Sequence, residues 1–127
     1  MPQVSINVVG VDHLNKDKSN RLFEILVCAP GEPVDLIPEP TNPADPQAVA
    51  VFSCRGIQIG YVRADRAQLV RSYLSRGRIT DVIFQAKAPW GAIVRVGMDG
   101  EAAALPPPVE SPAPEPDFYP DYIPLDD

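Results

Sequence analysis

Four closely spaced prolines limit what this chain can fold into more than any other part of its sequence. They are Pro38, Pro40, Pro43 and Pro46. Each proline fixes its own φ and removes a backbone hydrogen-bond donor, so a regular strand cannot continue through this region. Asn42 and Asp45 flank a Pro-Ala pair within it, and both residue types bond to neighbouring backbone groups in turns. The sequence therefore predicts a rigid turn at residues 42–45.

Apolar, β-branched runs on both sides of this turn predict strands. The run Val34–Ile37 precedes the turn, and Ala48–Phe52 and Ile57–Val62 follow it. Residues 53–56 (SCRG) separate the last two runs, and Gly56 supplies the positive φ that a tight hairpin turn requires. We expect a strand, a stiff loop and a hairpin, in that order.

This stretch resembles the HIRAN domain, which is found at the front of some helicase-like DNA-repair remodellers and as a small stand-alone protein of bacteria and phages. The resemblance lies in Gly31-Glu32-Pro33-Val34, Glu39-Pro40, Asn42-Pro43-Ala44-Asp45-Pro46, Ala48-Val49-Ala50-Val51 and Gly56-Ile57-Gln58-Ile59-Gly60-Tyr61, followed by an arginine-rich helix. It extends over residues 4–100. The resemblance implies a small OB-like barrel that grips single-stranded DNA, in particular free 3′ ends.

The remaining segments predict further short strands and one helix. Val4–Val11 reads as a first strand, and Leu22–Cys28 reads as another, with a short helix as its alternative. Residues 65–76 place four apolar side chains on one helical face, and Gly77 follows as a C-cap. Ile79–Lys87 and Ala92–Met98 complete the set. The predicted fold is mainly β, a small OB-like β-barrel of five or six strands with one α-helix.

Positive and negative residues are distributed unevenly along the chain. Residues 1–100 contain all 11 Lys and Arg and 10 of the 17 acids, giving +1, whereas residues 101–127 contain the other 7 acids and no base, giving −7. The net charge of −6 therefore does not argue against phosphate binding by the first 100 residues. Half of the 16 prolines lie after residue 105, a composition that cannot bury enough apolar surface to fold alone. We expect a HIRAN-like barrel at residues 1–100 and a disordered, acidic, proline-rich tail at residues 101–127.

Arginines cluster in and beside the predicted helix. They are Arg63, Arg66, Arg71, Arg76 and Arg78. Guanidinium groups suit phosphates because their planar forks donate two bonds, but long arginine stems also cover apolar stripes on solvated helices. Arg63 is the first candidate for DNA binding, because the family places basic phosphate contacts at the hairpin exit. Arg71 is a further candidate for which both interpretations stay open, and Arg66 is interpreted as solvated.

Two aromatic residues are candidates for stacking on unpaired bases. Tyr61 lies at the end of the hairpin, where a ring can stack on a base or simply belong to the barrel. The resemblance favours binding, since DNA-binding members carry a contacting ring at this position. Trp90 lies in the turn between the last two strands and is the other candidate, although a lid over the barrel end is the favoured interpretation.

The turn at residues 42–45 matches the family motif N-P-Tyr-D, with Ala44 at the Tyr position. In the family, the Asp accepts a hydrogen bond from the terminal 3′ hydroxyl, which makes Asn42 and Asp45 candidate binding residues. The loop that begins at Gly10 is a candidate too, but it has Asp12 where the family pattern has Arg. The alternative, that Asn42 and Asp45 only cap their own turn, is equally compatible with the sequence.

The sequence offers little for catalysis. His13 is the only histidine, no Ser or Cys nucleophile is placed by the sequence, and no Gly-rich phosphate loop is present. Cys28 and Cys54 lie outside any zinc-binding spacing, and we expect both to be reduced, half-buried strand residues. We expect no enzymatic activity, no cofactor and no metal. No run approaches the length of a membrane span, and no basic signal segment is present, so the expected compartment is the cytoplasm and no membrane partner is expected.

The leading hypothesis is a non-enzymatic nucleic-acid-binding module for single-stranded DNA or DNA 3′ ends, acting in DNA repair, replication or phage DNA metabolism. The alternative is a protein-interaction adaptor with reduced DNA affinity, whose acidic tail docks a partner or mimics DNA. The tail ends in a motif similar to the acidic C-terminal peptide of bacterial single-stranded-DNA-binding proteins. A helicase or other repair protein is the expected partner, through Phe118, Tyr119, Tyr122 and Ile123.

Overall fold

A computed structural model describes residues 3–106 of the chain. Its elements are β1 (Gln3–Val9), α1 (Arg21–Val27), β2 (Asp35–Pro38), β3 (Val49–Phe52), β4 (Gln58–Val62), α2 (Ala64–Ser75), β5 (Ile79–Ala88) and β6 (Gly91–Met98). None of the helices in this part of the chain is long and apolar enough to cross a membrane. The prediction of one helix is wrong, because α1 is a second.

The six strands form one antiparallel sheet in the order β2-β3-β4-β1-β6-β5. The sheet curls so that the segment before β2 reaches β5. The backbone N–H of Val34 donates to the oxygen of Val82 at 2.9 Å, and the N–H of Gly31 donates to the oxygen of Phe84 at 2.8 Å. These bonds join the two ends of the sheet, and the mainly β, OB-like fold is confirmed.

β-Branched side chains from all the central strands fill the core. Val8, Val49, Val51, Ile59, Val94 and Val96 are fully buried. Glycines allow the strands to approach closely: a Cβ atom at Gly60 would collide with the carbonyl oxygen of Val9. Glycine is therefore required at position 60 both because a side chain would not fit and because its φ is +155°.

Residues 22–28 form a helix, so the prediction of a strand there is wrong and its stated alternative is correct. The side chain of Asn20 caps helix α1 by accepting a hydrogen bond from the N–H of Phe23 at 2.9 Å. The buried residues follow the helical spacing i, i+3, i+4 and i+7. They are Arg21, Glu24, Ile25 and Cys28.

Ile25 is buried, but the other four apolar side chains of α1 lie on its exposed face. They are Leu22, Phe23, Leu26 and Val27, which are between 46% and 65% exposed. The helix departs from the usual arrangement, because its two charged residues, Arg21 and Glu24, are buried and most of its apolar side chains contact solvent. The apolar run LFEILV therefore resembled a buried strand in the sequence.

Helix α2 agrees with its prediction to within one residue at each end. Ala67 and Val70 are buried, Tyr73 and Leu74 pack against the core, and Leu69 remains 42% exposed. Gly77 follows the helix with φ of +66°, as expected for a residue that terminates it.

Neither cysteine lies in a strand, so that prediction is wrong. Cys28 is buried at the C-terminal cap of α1, and Cys54 is exposed in the turn between β3 and β4. The guanidinium of Arg55 links the two regions, since its Nε donates to Glu24 at 2.6 Å and its Nη2 to Glu32 at 3.2 Å. Both thiols contact this guanidinium, which fastens the turn to α1.

Residues that directly follow β6 lie across the sheet. The N–H of Ala103 donates to the carboxylate of Asp81 at 2.6 Å, and the N–H of Ala104 donates to the side chain of Gln3 at 2.9 Å. Residues 107–127 lie outside the described part of the chain. The predicted disordered tail and its aromatic residues 118–123 are therefore untested.

Candidate nucleic-acid interface

An open groove of about 800 Å³ lies between the proline-rich turn, the loop before α1 and the β3–β4 hairpin. We call it the elbow groove. The residues that matter for its chemistry are Arg21, Glu39, Asn42, Phe52, Gln58 and Tyr61. Its volume falls within the range of small-molecule and nucleotide sites.

Arg21 is the most unusual residue of the elbow groove. It is 7% exposed, and its Nη1 donates to the carbonyl oxygen of Gly10 at 2.6 Å while its Nε donates to Asn15 Oδ1 at 2.7 Å. The ion pairs found within residues 3–106 do not include Arg21. Its positive charge is thus balanced only by neutral oxygens and by an aromatic ring. Buried arginines are normally paired with an acid, which makes Arg21 a candidate site for an external anion.

Tyr61 connects Arg21 to the proline-rich turn. The guanidinium carbon of Arg21 lies 5.5 Å from the centre of the Tyr61 ring, within the range of a cation–π contact. The Tyr61 hydroxyl donates to Glu39 Oε1 at 2.9 Å. The ring is therefore held at both its face and its hydroxyl, and it lines the groove.

Asn42 and Asp45 form the turn that the sequence predicted. Asn42 Oδ1 accepts the backbone N–H groups of Ala44 at 2.9 Å and of Asp45 at 3.1 Å, and Asn42 Nδ2 donates to Glu39 Oε1 at 3.0 Å. The Asp45 carboxylate caps the next residues by accepting the N–H of Gln47 at 2.9 Å. Asn42 lines the elbow groove, whereas Asp45 does not. The capping interpretation thus describes Asp45 in this structure.

Gly10 adopts a φ of +72° beneath the groove. A Cβ atom there would lie 3.8 Å from both Arg21 Nη1 and the Tyr61 ring, so the position itself is not crowded. The contribution of Gly10 is its carbonyl oxygen, which orients the Arg21 guanidinium.

The other three candidate residues lie apart from the elbow groove. Arg63 is exposed, pairs with Asp65 at 3.3 Å and lines a separate cavity beside β1. Arg71 holds the end of the proline-rich turn by donating to the oxygen of Pro46 and to Gln47 Oε1. Trp90 is 49% exposed at the β5–β6 turn. The predicted surface that combines Arg63, Tyr61 and the turn at residues 42–45 is therefore not formed as one site.

Sequence reasoning missed Arg21 and Glu39 as groove residues. Arg21 follows an N-capping Asn and begins a helix, a signal that was hidden while residues 22–28 were interpreted as a strand. Glu39 lies between Pro38 and Pro40, which restrict the backbone at the position where its side chain lines the groove.

A family model of the HIRAN domain matches residues 3–89, more than half of the chain. This chain belongs to the HIRAN domain family. HIRAN domains form a family of DNA-binding modules, which is consistent with a nucleic acid as the ligand of this chain. No curated protein matches the chain.

Two solved structures are similar to this HIRAN domain. The HIRAN domain of human HLTF is 17% identical with a TM-score of 0.60, and the match covers 76% of this chain and 74% of that one. A protein from Lactobacillus plantarum is 17% identical with a TM-score of 0.58, and the match covers 77% of this chain and 89% of that one. At these identities, the similarity concerns the fold.

Within residues 3–106, no three His, Cys, Asp or Glu side chains are grouped as a metal site would require. The expectations that this HIRAN domain is not an enzyme, needs no cofactor and lies in the cytoplasm remain predictions.

Proposed function

We propose that this HIRAN domain binds single-stranded DNA, including 3′ ends, in the elbow groove. The observation that carries the proposal is the buried guanidinium of Arg21, which has no acidic partner in the described residues and lines an open groove. A phosphate oxygen supplies the missing negative charge, and hydrogen bonds to a charged group are stronger than those to neutral oxygens.

The aromatic side chains of the groove suit an unpaired base. Tyr61 is already ordered by Arg21 and Glu39, so stacking a base on it requires little further loss of side-chain freedom. Stacking on an aromatic side chain contributes about 1–3 kcal/mol per base in single-strand binders. Phe52 and Gln58 line the same groove and extend the surface available to the next nucleotide.

The groove also contains an acceptor for a terminal hydroxyl. Glu39 lines it, and both hydrogen bonds that Glu39 accepts there reach the same atom, Oε1. We propose Glu39, rather than Asp45, as the group that accepts the hydrogen bond of a 3′ hydroxyl. The Asp45 carboxylate also accepts through one oxygen, Oδ1 from the N–H of Gln47, but Asp45 does not line the groove.

Fluorescence anisotropy with the full chain tests this function. Labelled single-stranded oligonucleotides with a free 3′ hydroxyl, the same oligonucleotides with a 3′ phosphate, and blunt duplexes are titrated at several salt concentrations. We expect single strands to bind more tightly than duplexes, with affinity that falls as salt rises. A free 3′ hydroxyl should bind better than a blocked end, and Glu39→Gln should reduce that difference.

Tyr61→Leu and Trp90→Leu form a matched pair for the same assay. Both remove an aromatic ring, but only Tyr61 lines the elbow groove. We expect Tyr61→Leu to weaken binding about 5- to 150-fold, the equivalent of one lost stacking contact, and Trp90→Leu to leave it unchanged. Equal effects of the two variants, or no salt-dependent binding by the parent chain, would contradict this assignment.

A second candidate function is favoured by the exposed apolar face of α1, formed by Leu22, Phe23, Leu26 and Val27. Such a face suits a protein partner, as an adaptor with a helicase or another repair protein would require. In a pull-down with candidate helicases, Leu26→Asp should abolish capture while leaving DNA affinity unchanged. Capture that is insensitive to Leu26→Asp and to deletion of residues 107–127 would count against the adaptor.

A further inference from the structure

The first half of strand β1 has an open edge. β1 pairs with β4 only at Val8 and Val9, and one further bond runs from the N–H of Arg63 to the oxygen of Asn7 at 3.1 Å. In the described residues, no strand pairs with Gln3–Ile6 on that side. Because backbone groups alternate direction along a strand, Ser5 directs its N–H and C=O to the same side as Asn7, toward the open edge.

An apolar groove of about 290 Å³ lies between this open edge and helix α2. We call it the edge groove. Its apolar walls are Val4, Ile6, Leu69, Val70, Tyr73 and Met98. Val4 and Leu69 are 37% and 42% exposed, although both belong to elements that face the core. An open strand edge beside an apolar groove is the geometry that accepts an added β-strand.

The prolines near the C-terminus follow a spacing that suits an added strand. From residue 112 onward they occupy only even positions: Pro112, Pro114, Pro116, Pro120 and Pro124. In a strand, alternate residues direct their N–H groups to the same side, so every odd-numbered residue from 113 to 127 retains an N–H for a partner. Proline is tolerated in an edge strand when the side that lacks its N–H faces solvent.

We propose that residues 120–123 of this chain bind in the edge groove as a short antiparallel strand added to β1, with Asp121 opposite Ser5. Bonding between odd-numbered tail residues and Ser5 places the even-numbered side chains on the same face as Val4 and Ile6. Tyr122 then enters the apolar groove opposite Val4, and Asp121 remains on the outer face. The parallel orientation is disfavoured because it would direct Asp121 into the groove.

The start of the tail lies beside this edge. The N–H of Ala104 is bonded to Gln3, the first described residue of β1, and 13 residues separate Ala104 from Phe118. A chain of that length spans the edge groove and returns along it at modest entropic cost, about (3/2)RT ln n. Arg66 is exposed and lines the edge groove, and Arg63 lies nearby but pairs with Asp65, while residues 107–127 contain 6 acids and no base. The opposite charges favour the association.

Photo-crosslinking of the full chain tests this inference, which does not depend on DNA binding. Tyr122 is replaced by p-benzoylphenylalanine, the sample is irradiated, and the crosslinked peptides are identified by mass spectrometry. We expect crosslinks to the peptides that contain Val4–Ile6, Leu69–Tyr73 or Met98. The same probe at position 121 should instead reach Ser5 or its outer-face neighbour Arg95. Crosslinks to α1 or to the elbow groove would overturn the proposal, as would no crosslinks to the core domain.

Two pairs of variants sharpen the result. Leu69→Asp places a charge in the edge groove and should reduce the crosslink yield about tenfold, because this charge would lose its hydration when the tail binds. Leu22→Asp, at a similarly exposed position on α1, should leave the yield unchanged. Asp121→Pro removes an N–H directed at β1 and should reduce the yield, whereas Asp121→Ala should not. Equal effects within either pair overturn the proposal.

An isotope-labelled mixture decides whether the tail binds its own barrel. Equal amounts of ¹⁴N- and ¹⁵N-labelled chains are combined before irradiation. Binding within one chain gives only crosslinks between two light or two heavy peptides. Crosslinks that join light and heavy peptides would show exchange between copies and would overturn binding of the tail in its own edge groove.

Discussion

Arg21→Gln should weaken DNA binding more than any other single change at an arginine of this domain. The substitution removes a guanidinium that is 7% exposed and that holds Gly10, Asn15 and the face of Tyr61. It also removes the only buried positive charge of the elbow groove. Arg21→Lys keeps the charge but loses the planar fork, so the pair of variants separates charge from geometry.

The expected loss of folding stability follows from these contacts. Each hydrogen bond from a charged donor contributes about 1.5–3 kcal/mol, and the cation–π contact adds about 0.5–1 kcal/mol. Because the groove is open, water replaces part of this hydrogen bonding in the variant. We therefore expect Arg21→Gln to lower the free energy of unfolding by about 2–4 kcal/mol, measured by urea denaturation.

The expected effect on DNA binding is separate from this loss. If Arg21 binds one phosphate, Arg21→Gln reduces the slope of log K against log salt by about 0.7 for a single strand. The lost charged hydrogen bond is worth about 1.5–3 kcal/mol, which corresponds to a loss of affinity of about 10- to 150-fold. Arg21→Lys should keep the salt slope and lose only part of the affinity.

Arg76→Gln is the control for general charge, since Arg76 is exposed at the C-terminal end of α2 and lies outside the elbow groove. It should change neither the slope nor the affinity appreciably. The reasoning fails if Arg21→Gln, shown to be folded by circular dichroism, binds single strands with the parent affinity and salt slope. If Arg21→Gln does not fold, a parent-like affinity of a folded Arg21→Ala, Arg21→Met or Arg21→Leu variant would refute it equally.

Three further outcomes follow from the packing and from the thiols. Gly60→Ala should destabilise the domain by about 3 kcal/mol or more, because its Cβ would collide with the sheet. Gly56 has open space around it, so Gly56→Ala should cost only about 1–2 kcal/mol for the positive φ. Equal costs in urea denaturation would contradict this. At pH 8, a disulfide reagent should label the exposed Cys54 rapidly and the buried Cys28 slowly. Burial, and after it the charge of Glu24, raises the pKa of the Cys28 thiol to about 11. Two fast phases of labelling would refute the assignment. The pKa of the thiol in the unfolded chain is about 8.5. Between that pH and 11 only the unfolded chain loses the proton, so the contribution of Cys28 to stability should be constant below that pH and be lost as the pH rises toward 11. Cys28→Ala should remove this pH dependence.

The proline-rich turn and the hairpin could be predicted from the sequence because their conformations are local. Proline restricts φ wherever it occurs, and Asn42 bonds to backbone groups two and three residues away, as observed. Helix α2 could be predicted for a similar reason, since its apolar residues face the core and Gly77 terminates it. The likeness of these segments to the HIRAN domain was sufficient to identify the family and the barrel.

Helix α1 could not be predicted in the same way because burial of its side chains depends on distant contacts. Sequence patterns assume that apolar residues are inside, yet here Glu24 is buried because Arg55, from another element, is bonded to it. Arg21 is buried because the Tyr61 ring and the carbonyl oxygen of Gly10 stabilise its guanidinium, through a cation–π contact and a hydrogen bond respectively. Arg55 is 31 positions from Glu24, and Tyr61 is 40 positions from Arg21, so a local sequence pattern does not contain these contacts.

The sequence by itself determined the six strands of the sheet, the stiff turn and the membership of a DNA-binding family, but not helix α1. The strands and the turn could be determined because they depend on the conformational limits of neighbouring residues. Only the tertiary structure decided which charged side chains share a site. In the folded chain Arg63 pairs with Asp65 and lies away from the elbow groove. Folding also brings Arg21 to the ring face of Tyr61 and Glu39 to its hydroxyl. The physical reason is that the neighbours of a charged side chain in space decide whether an acid neutralises it or whether it can bind a ligand. Curling of the sheet makes neighbours of residues that are 18 to 40 positions apart in the sequence.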